Sequence, residues 1–232
     1  MKCAPGEVHV WRIVLDGAAT SAAALRATLS GEEEQRATRF RSLELCKRWT
    51  VARGALRCIL ATYARCEPSA LVFRTESHGK PALAWPVLDI PFNVSHTGGL
   101  ALVAIAGRGR VGIDAETVRS EIEVEDLSRR FFAPAEAAEI LALSPDAQLP
   151  AFFACWTRKE AFIKALGGGL SVALDSFQVS IGGDEPARLL WVDGEECEQW
   201  SLLDLSEPGI AAALAVEGHA LVLQRANFVP PV

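Results

Sequence analysis

LALVAIAGRGRVGIDAE, residues 100–116, decides how the chain is organised. LALVAIA (100–106) is an apolar run of strand length and reads as a buried strand. GRGR (107–110) punctuates it as a tight turn, and VGIDAE (111–116) reads as a second strand. The turn falls near the middle of 232 residues, a length that suits one large domain or two of about 100 residues each. Upstream lies a turn-rich stretch, 68–91, with Pro68, Pro81, Pro86, Pro91 and the Gly79-Lys80-Pro81 break. Before it, 47–63 reads as a helix whose apolar stripe is Val51, Ala55, Leu56, Ile59 and Leu60. Residues 32–45 read as another, with Ser30 as N-cap and Glu32, Glu33 and Glu34 against the helix dipole. Helix 21–29 and strand 8–15 complete this side. Downstream, Pro134 opens a short helix, and Pro150 opens one over 151–166 that Gly167, Gly168 and Gly169 end. Short strands are expected at 177–181, 188–192, 200–205, 210–216 and 220–225. The class is α+β, with two similar α/β subdomains, 1–109 and 110–232, meeting near Gly109.

Composition narrows the function. Half of the residues are hydrophobic, enough for a packed core, and 22% are charged, close to an ordinary soluble domain. A net charge of −6 argues against a broad basic surface, so nucleic acid is not an expected partner. Six cysteines, at 3, 46, 58, 66, 155 and 197, form no C-x-x-C pair; they read as buried free thiols rather than a zinc site or disulfide scaffold. Glu7, Arg12 and Asp16 interrupt any signal-peptide core, and no apolar run approaches a membrane span. A cytoplasmic location without membrane contact is the expectation.

The chemistry lies in separated pieces. Asp114 and Glu116 are two apart on one strand, so both carboxylates point to the same side. They repel unless a cation lies between them, and a hard divalent ion such as Mg²⁺ is one solution. A solvent-facing acidic pair on an edge strand is the bland alternative. Trp156, Glu160 and Lys164 repeat at i, i+4 and i+8 on one helix face. That helix is otherwise apolar (Phe152, Phe153, Phe162, Ile163), so its charges, Lys159 included, need partners or a task. A simple surface ion pair is the alternative. FNVSHTGG (92–99) reads as a turn suited to an anion, with Asn93, Ser95 and His96 in it. A Ser-His catalytic pair is disfavoured, because chain neighbours rarely reach triad geometry and no G-x-S-x-G elbow is present. Arg53 and Arg57, four apart, offer two cations to a phosphate or simply a solvated helix face, and Arg48 precedes them. Together the set suits a polyphosphate with a bridging metal.

These residues resemble the Sfp-type 4′-phosphopantetheinyl transferases. The resemblance rests on VGIDAE (111–116), WTRKEAFIK (156–164), Gly79-Lys80-Pro81 and Phe92-Asn93-Val94-Ser95-His96, in the family's order and spacing, over about residues 30–181. It implies a pseudo-twofold α+β monomer with coenzyme A in the cleft between halves, 1–109 binding coenzyme A and 110–232 carrying metal and catalysis. It implies that Asp114, Glu116 and Glu160 hold Mg²⁺, with Mn²⁺ as a substitute. Glu160 would take the proton of the acceptor serine and Lys164 would neutralise the phosphate in transfer. Lys80, Pro81, Ser95 and His96 would meet the nucleotide and its phosphates, and Arg53 the 3′-phosphate. The implied reaction moves phosphopantetheine from coenzyme A to a serine of an apo acyl or peptidyl carrier protein, releasing 3′,5′-ADP. The chain departs from relatives in carrying Glu32, Glu33 and Glu34 where some have lysines, Thr97 in place of serine, and Ala115 between the two strand carboxylates. The residues read alone leave open a metal-dependent phosphohydrolase or nucleotidyl-transfer enzyme, and a non-catalytic binder of coenzyme A or a carrier. Arg119, Arg129, Arg130, Phe131 and Phe132 are the candidate carrier-facing residues.

Overall fold

The computed structural model describes residues 1–16, 19–76, 79–181, 185–218 and 222–230. Their fold is α+β and built twice over. The first half runs β1 (Glu7–Val14), α1 (Ala19–Arg26), α2 (Gly31–Thr38), α3 (Leu43–Ala64), the hairpin β2 (Val72–Thr75) and β3 (Pro81–Trp85), then β4 (Phe92–Thr97) and β5 (Leu100–Ala106). The second runs β6 (Val111–Thr117), α4 (Val124–Phe131), α5 (Pro134–Ala142), α6 (Pro145–Leu166), the hairpin β7 (Phe177–Val179) and β8 (Leu189–Val192), then β9 (Trp200–Asp204) and β10 (Ile210–Glu217). Each half is thus a strand, a 22-residue helix, a two-stranded hairpin and two more strands. The sheet orders agree as well: β1-β5-β4 in one half and β6-β10-β9 in the other, all antiparallel. β11 (Val222–Asn227) then returns to the first half and pairs parallel with β1, Glu7 opposite Val222. Of the strand expected at 220–225, residues 222–225 lie in β11, and residues 220 and 221 lie outside the described residues.

Strand alternation sorts the core into layers. Ala101, Val103 and Ile105 of β5 face α3, packing on Val51, Ala55, Ile59 and Leu60. Leu100, Leu102 and Ala104 face the other way, onto Ile113 and Ala115 of β6 and Leu214 and Val216 of β10. Ala211, Ala213 and Ala215 of β10 face α6, against Phe162 and Phe153. The order is helix, sheet, sheet, helix. The even positions of β6, Asp114 and Glu116 among them, are thereby turned towards α6.

Several expectations needed correction. Residues 32–45 are not one helix: α2 stops at Thr38, and Ser42, whose side chain accepts from the Leu45 N–H, caps α3. Pro150 does not open its helix. Ser144 and Pro145 start α6 five residues earlier, and Pro150 lies inside it, costing one backbone bond that the buried face from Ala151 onward outweighs. The stretch 68–91 contains a hairpin, and α4 lies in a segment with no assigned element. FNVSHT is a strand rather than a turn; the turn is Gly98-Gly99, with Gly98 at φ +52°.

Candidate active site

β4 and β6 lie side by side without backbone pairing. Asn93, Ser95 and Thr97 of β4 instead accept from the N–H groups of Ile113 (2.9 Å), Ala115 (3.2 Å) and Thr117 (2.9 Å). A side-chain ladder thus replaces strand pairing and satisfies the edge of β6 that β10 does not cover. Its spacing of two on both strands explains why Asn, Ser and Thr alternate with Val and His.

Ser95 is the ladder's middle rung, and its hydroxyl is fully used. It donates to Asp114 Oδ1 at 3.0 Å and accepts from Ala115 N–H and from Lys164 Nζ at 3.2 Å. Lys164 Nζ also donates to Asp114 Oδ1 at 2.6 Å and to the Ile113 carbonyl at 3.3 Å. Asp114 is 4% exposed, and its Oδ2 is buried with no partner among the described residues. A buried carboxylate oxygen without a donor is costly. Burial raises the Glu160 carboxyl above its ordinary value, and the negative charges of Asp114 and Glu116 add to this against the opposing pull of Lys164. Glu116 is likewise raised, by burial first and by Asp114 second, while Arg119 and Lys164 act the other way. Three carboxylates facing the Lys164 ammonium, with Arg119 acting on Glu116 alone, leave a net negative charge when ionised, which suits a hard divalent cation. Their oxygens do not form a closed cluster with all separations within 4.8 Å. Lys164, seated on Asp114, supplies the positive charge there.

Gly112 brings α6 to this place. A Cβ on it would stand 2.0 Å from the Ala161 carbonyl oxygen and 2.4 Å from the Ala165 nitrogen. Only glycine lets the helix lie so close to β6, and this sets Glu160 and Lys164 over Asp114. The charges between them go elsewhere. Lys159 is fully buried, paired with Glu136 at 2.7 Å, and donates to the carbonyls of Leu174 and Phe177. Arg158 donates to the Ser180 carbonyl at 2.7 Å and pairs with Asp204. Trp156 stacks on Phe152 and meets Phe131 edge-on. Thr157 donates back to the Phe153 carbonyl.

The sequence-derived residues fall into two groups. Ser95, Asp114, Glu116, Glu160 and Lys164 come together at the seam. Lys80 reaches the α6 backbone beside them, donating to the Lys164 carbonyl at 3.0 Å, with its ammonium lowered by burial; Pro81 follows it at the start of β3. His96 is exposed on the opposite face of β4 from Ser95. Arg53 lies on the α3 side, bound to Glu33 and 3.9 Å over the Phe73 ring. Arg57 is 1% exposed, bound to Glu33 and the carbonyls of Pro68 and Leu71. Arg57 is thus a structural tie, not a phosphate-facing cation, and Glu33 already answers Arg53. Phe132, 3% exposed, belongs to the core and not to a carrier-facing surface.

Comparison with known proteins meets this geometry. Residues 110–220 match the family model of the 4′-phosphopantetheinyl transferase superfamily, and 18–108 match that of 4′-phosphopantetheinyl transferase, N-terminal. The chain is 39% identical over 215 residues to 4′-phosphopantetheinyl transferase HetI of Nostoc sp., covering 91% of this chain and 88% of that one. Against 4′-phosphopantetheinyl transferase Sfp of Bacillus subtilis it is 33% identical over 156 residues, 67% of this chain and 68% of the relative. A solved holo-[acyl-carrier-protein] synthase from Thermotoga maritima aligns with 47% of this chain and 62% of its own at TM-score 0.38 and 24% identity. The chain belongs to the 4′-phosphopantetheinyl transferase superfamily, a family of transferase enzymes that act on carrier proteins with coenzyme A. Among the described residues no helix is long and apolar enough to cross a membrane.

Proposed function

We propose that the enzyme moves 4′-phosphopantetheine from coenzyme A to a serine of an apo acyl or peptidyl carrier protein, in a Mg²⁺-dependent reaction that releases 3′,5′-ADP. The observation that carries this is the buried, unpartnered Oδ2 of Asp114 beside Glu116, Glu160 and Lys164. Asp114, Glu116 and Glu160 are the residues that would hold the metal, with Mn²⁺ as a substitute. Bound there, Mg²⁺ would neutralise charge on the pyrophosphate of coenzyme A. Glu160, made more basic by burial and its acidic neighbours, takes the proton of the acceptor serine. The serine oxygen bonds to the β-phosphorus of coenzyme A, and the bond from that phosphorus to the bridging oxygen breaks. Lys164 stabilises charge on the phosphoryl oxygens as 3′,5′-ADP departs. In this scheme Lys80, Pro81, His96 and Arg53 are the coenzyme A contacts and Ser95 acts through Asp114 and Lys164, with 1–109 as the nucleotide-binding half and 110–232 as the metal-binding, catalytic half. The protein works as a cytoplasmic monomer in this reading, with no nucleic-acid or membrane partner.

The test is the intact mass of an apo carrier protein after incubation with enzyme, coenzyme A and Mg²⁺. The carrier gains one phosphopantetheine arm, and the gain disappears with EDTA or Glu160→Ala. Release of nucleotide from coenzyme A without any gain on several carriers would replace transfer by hydrolysis. The carrier docks on α4, where Arg129 and Arg130 are exposed and Arg129 makes an i,i+4 pair with Glu125. Reversing both charges raises KM for the acidic carrier several-fold and leaves KM for coenzyme A unchanged; equal carrier KM values would place docking elsewhere.

A further inference from the structure

At the start of β1, away from the seam, Cys3, Glu7 and His9 converge. One potential ligand atom from each lies within 4.8 Å of the other two. The convergence is built by the fold. The Glu7 N–H donates to the Ala4 carbonyl at 2.9 Å and Glu7 Oε2 accepts from the Ala4 N–H at 2.9 Å, which turns Cys3 back over the strand. Gly107 leaves room for this turn, since a Cβ there would stand 1.8 Å from the Ala4 oxygen. Glu7 and His9 then share a face of β1 by alternation.

His9 is 5% exposed, and its Nε2 has no hydrogen-bond partner among the described residues. It points at Glu7 Oε2 across 3.6 Å, too far for a hydrogen bond. An ion pair needing nothing else would close to about 2.8 Å. Two ligands of a tetrahedral zinc ion, each about 2.0 Å from the metal, stand roughly 3.3 Å apart, nearer to the separation seen than a direct ion pair would be. The other ring nitrogen is fixed: Nδ1 lies 2.7 Å from Tyr63 Oη, which also accepts from Trp11 Nε1 at 3.0 Å. With Nδ1–H donating to Tyr63, the Nε2 lone pair is bare and buried, as in metal-binding histidines whose second nitrogen is held by an outer partner.

We propose that Cys3, Glu7 and His9 bind a borderline-soft divalent metal, zinc foremost, with water as a fourth ligand and Tyr63 orienting the histidine. Thiolate, imidazole and carboxylate together select this class over Mg²⁺. The Cys3 thiol passes its proton to solvent as the sulfur–metal bond forms. Cys3 and Glu7 are partly exposed, so an ion and its water reach the site from outside. The site is distinct from the seam, since β1 is separated from β4 by β5.

Cobalt(II) titrated into the metal-stripped full chain is the test, because thiolate ligation to cobalt gives a near-ultraviolet charge-transfer band. One equivalent should saturate the band, Zn²⁺ should abolish it, and excess Mg²⁺ should leave it unchanged. The band requires a sulfur–cobalt bond, so it reports metal-bound sulfur and not a free thiolate. Cys3→Ser should remove the band with the far-ultraviolet circular dichroism unchanged, and Tyr63→Phe should weaken cobalt about tenfold. Glu160→Gln, in the other site, should leave the titration as it is. A missing band with folded protein, or a band that survives Cys3→Ser, overturns the proposal. The result is independent of whether the seam binds Mg²⁺ or transfers phosphopantetheine.

Discussion

Glu160 is held in a place that opposes its own ionisation. Burial, Asp114 and Glu116 raise its carboxyl, so the folded chain keeps this proton to a higher pH than the unfolded chain does. As pH climbs from the ordinary value of 4.5 through the raised one, the folded state binds more protons than the unfolded, and stability falls across that window. The cost is carried at any pH above the raised value. In EDTA at pH 7, Glu160→Gln should therefore melt higher than the parent by about 2 °C, a small shift because the group is part-exposed and screened. The advantage should vanish once pH drops below the ordinary carboxylate range of about 4. Adding Mg²⁺ should raise the parent's Tm and not the variant's, and an unchanged parent would argue against a metal at the seam. At this scale much was legible. Alternation placed Asp114 and Glu116 on one side, and helical spacing placed Glu160 above Lys164. Spacing set Glu160 and Lys164 on one face and left Lys159 as a further charge without a partner. Only the facing surface shows that Lys159 meets Glu136 inside the core. Cys3, Glu7 and His9 carry no recognised metal spacing, and their convergence depends on a turn and on Gly107, just past the end of β5.

Among elements, α6 and β6 act as one piece. Gly112→Ala drives a methyl into the backbone of α6 and should cost about 3 kcal/mol, with activity lost together with stability. A variant that melts like the parent would mean that the helix can shift without loss. Lys159→Met leaves Glu136 buried without its cation and should cost about 3–5 kcal/mol, while the double variant Lys159→Met, Glu136→Gln should recover part of it. Denaturant unfolding measures both. Strands with continuous apolar runs were read correctly, and β5 and β6 begin where expected. β4 was not, because its Asn, Ser and Thr carry the composition of a turn. These residues are polar because they form rungs to β6, a long-range reason that no local window contains. Pro150 misled for a related reason: proline usually marks the start of a helix, and burial of the following turns overrides it here.

Over the whole molecule the dominant fact is duplication with one exchange. The two halves share strand order, a 22-residue helix and a hairpin, although the sequence shows no repeat between them. The topology constrains only which positions are apolar, and many residue choices meet that pattern. β1 and β6 are the equivalent strands, and their outer edges are finished differently: β6 by side chains of β4, β1 by β11. β11 is largely exposed, so deleting the residues after Gly218 should lower Tm by only a few degrees. It should, however, bare the edge of β1 and produce concentration-dependent association, seen by light scattering. A truncated chain that stays monomeric would show that the edge is protected in another way. Pairing residue 7 with residue 222 also has a temporal meaning. A ribosome adding about 5–20 residues per second needs roughly 10–40 s to get from one strand to the other. For that interval the nascent first half stands with β1 unmatched on one side. Codon changes that slow elongation between the two strands would lengthen this exposure, and with it the demand on chaperones, without altering a single contact of the finished enzyme.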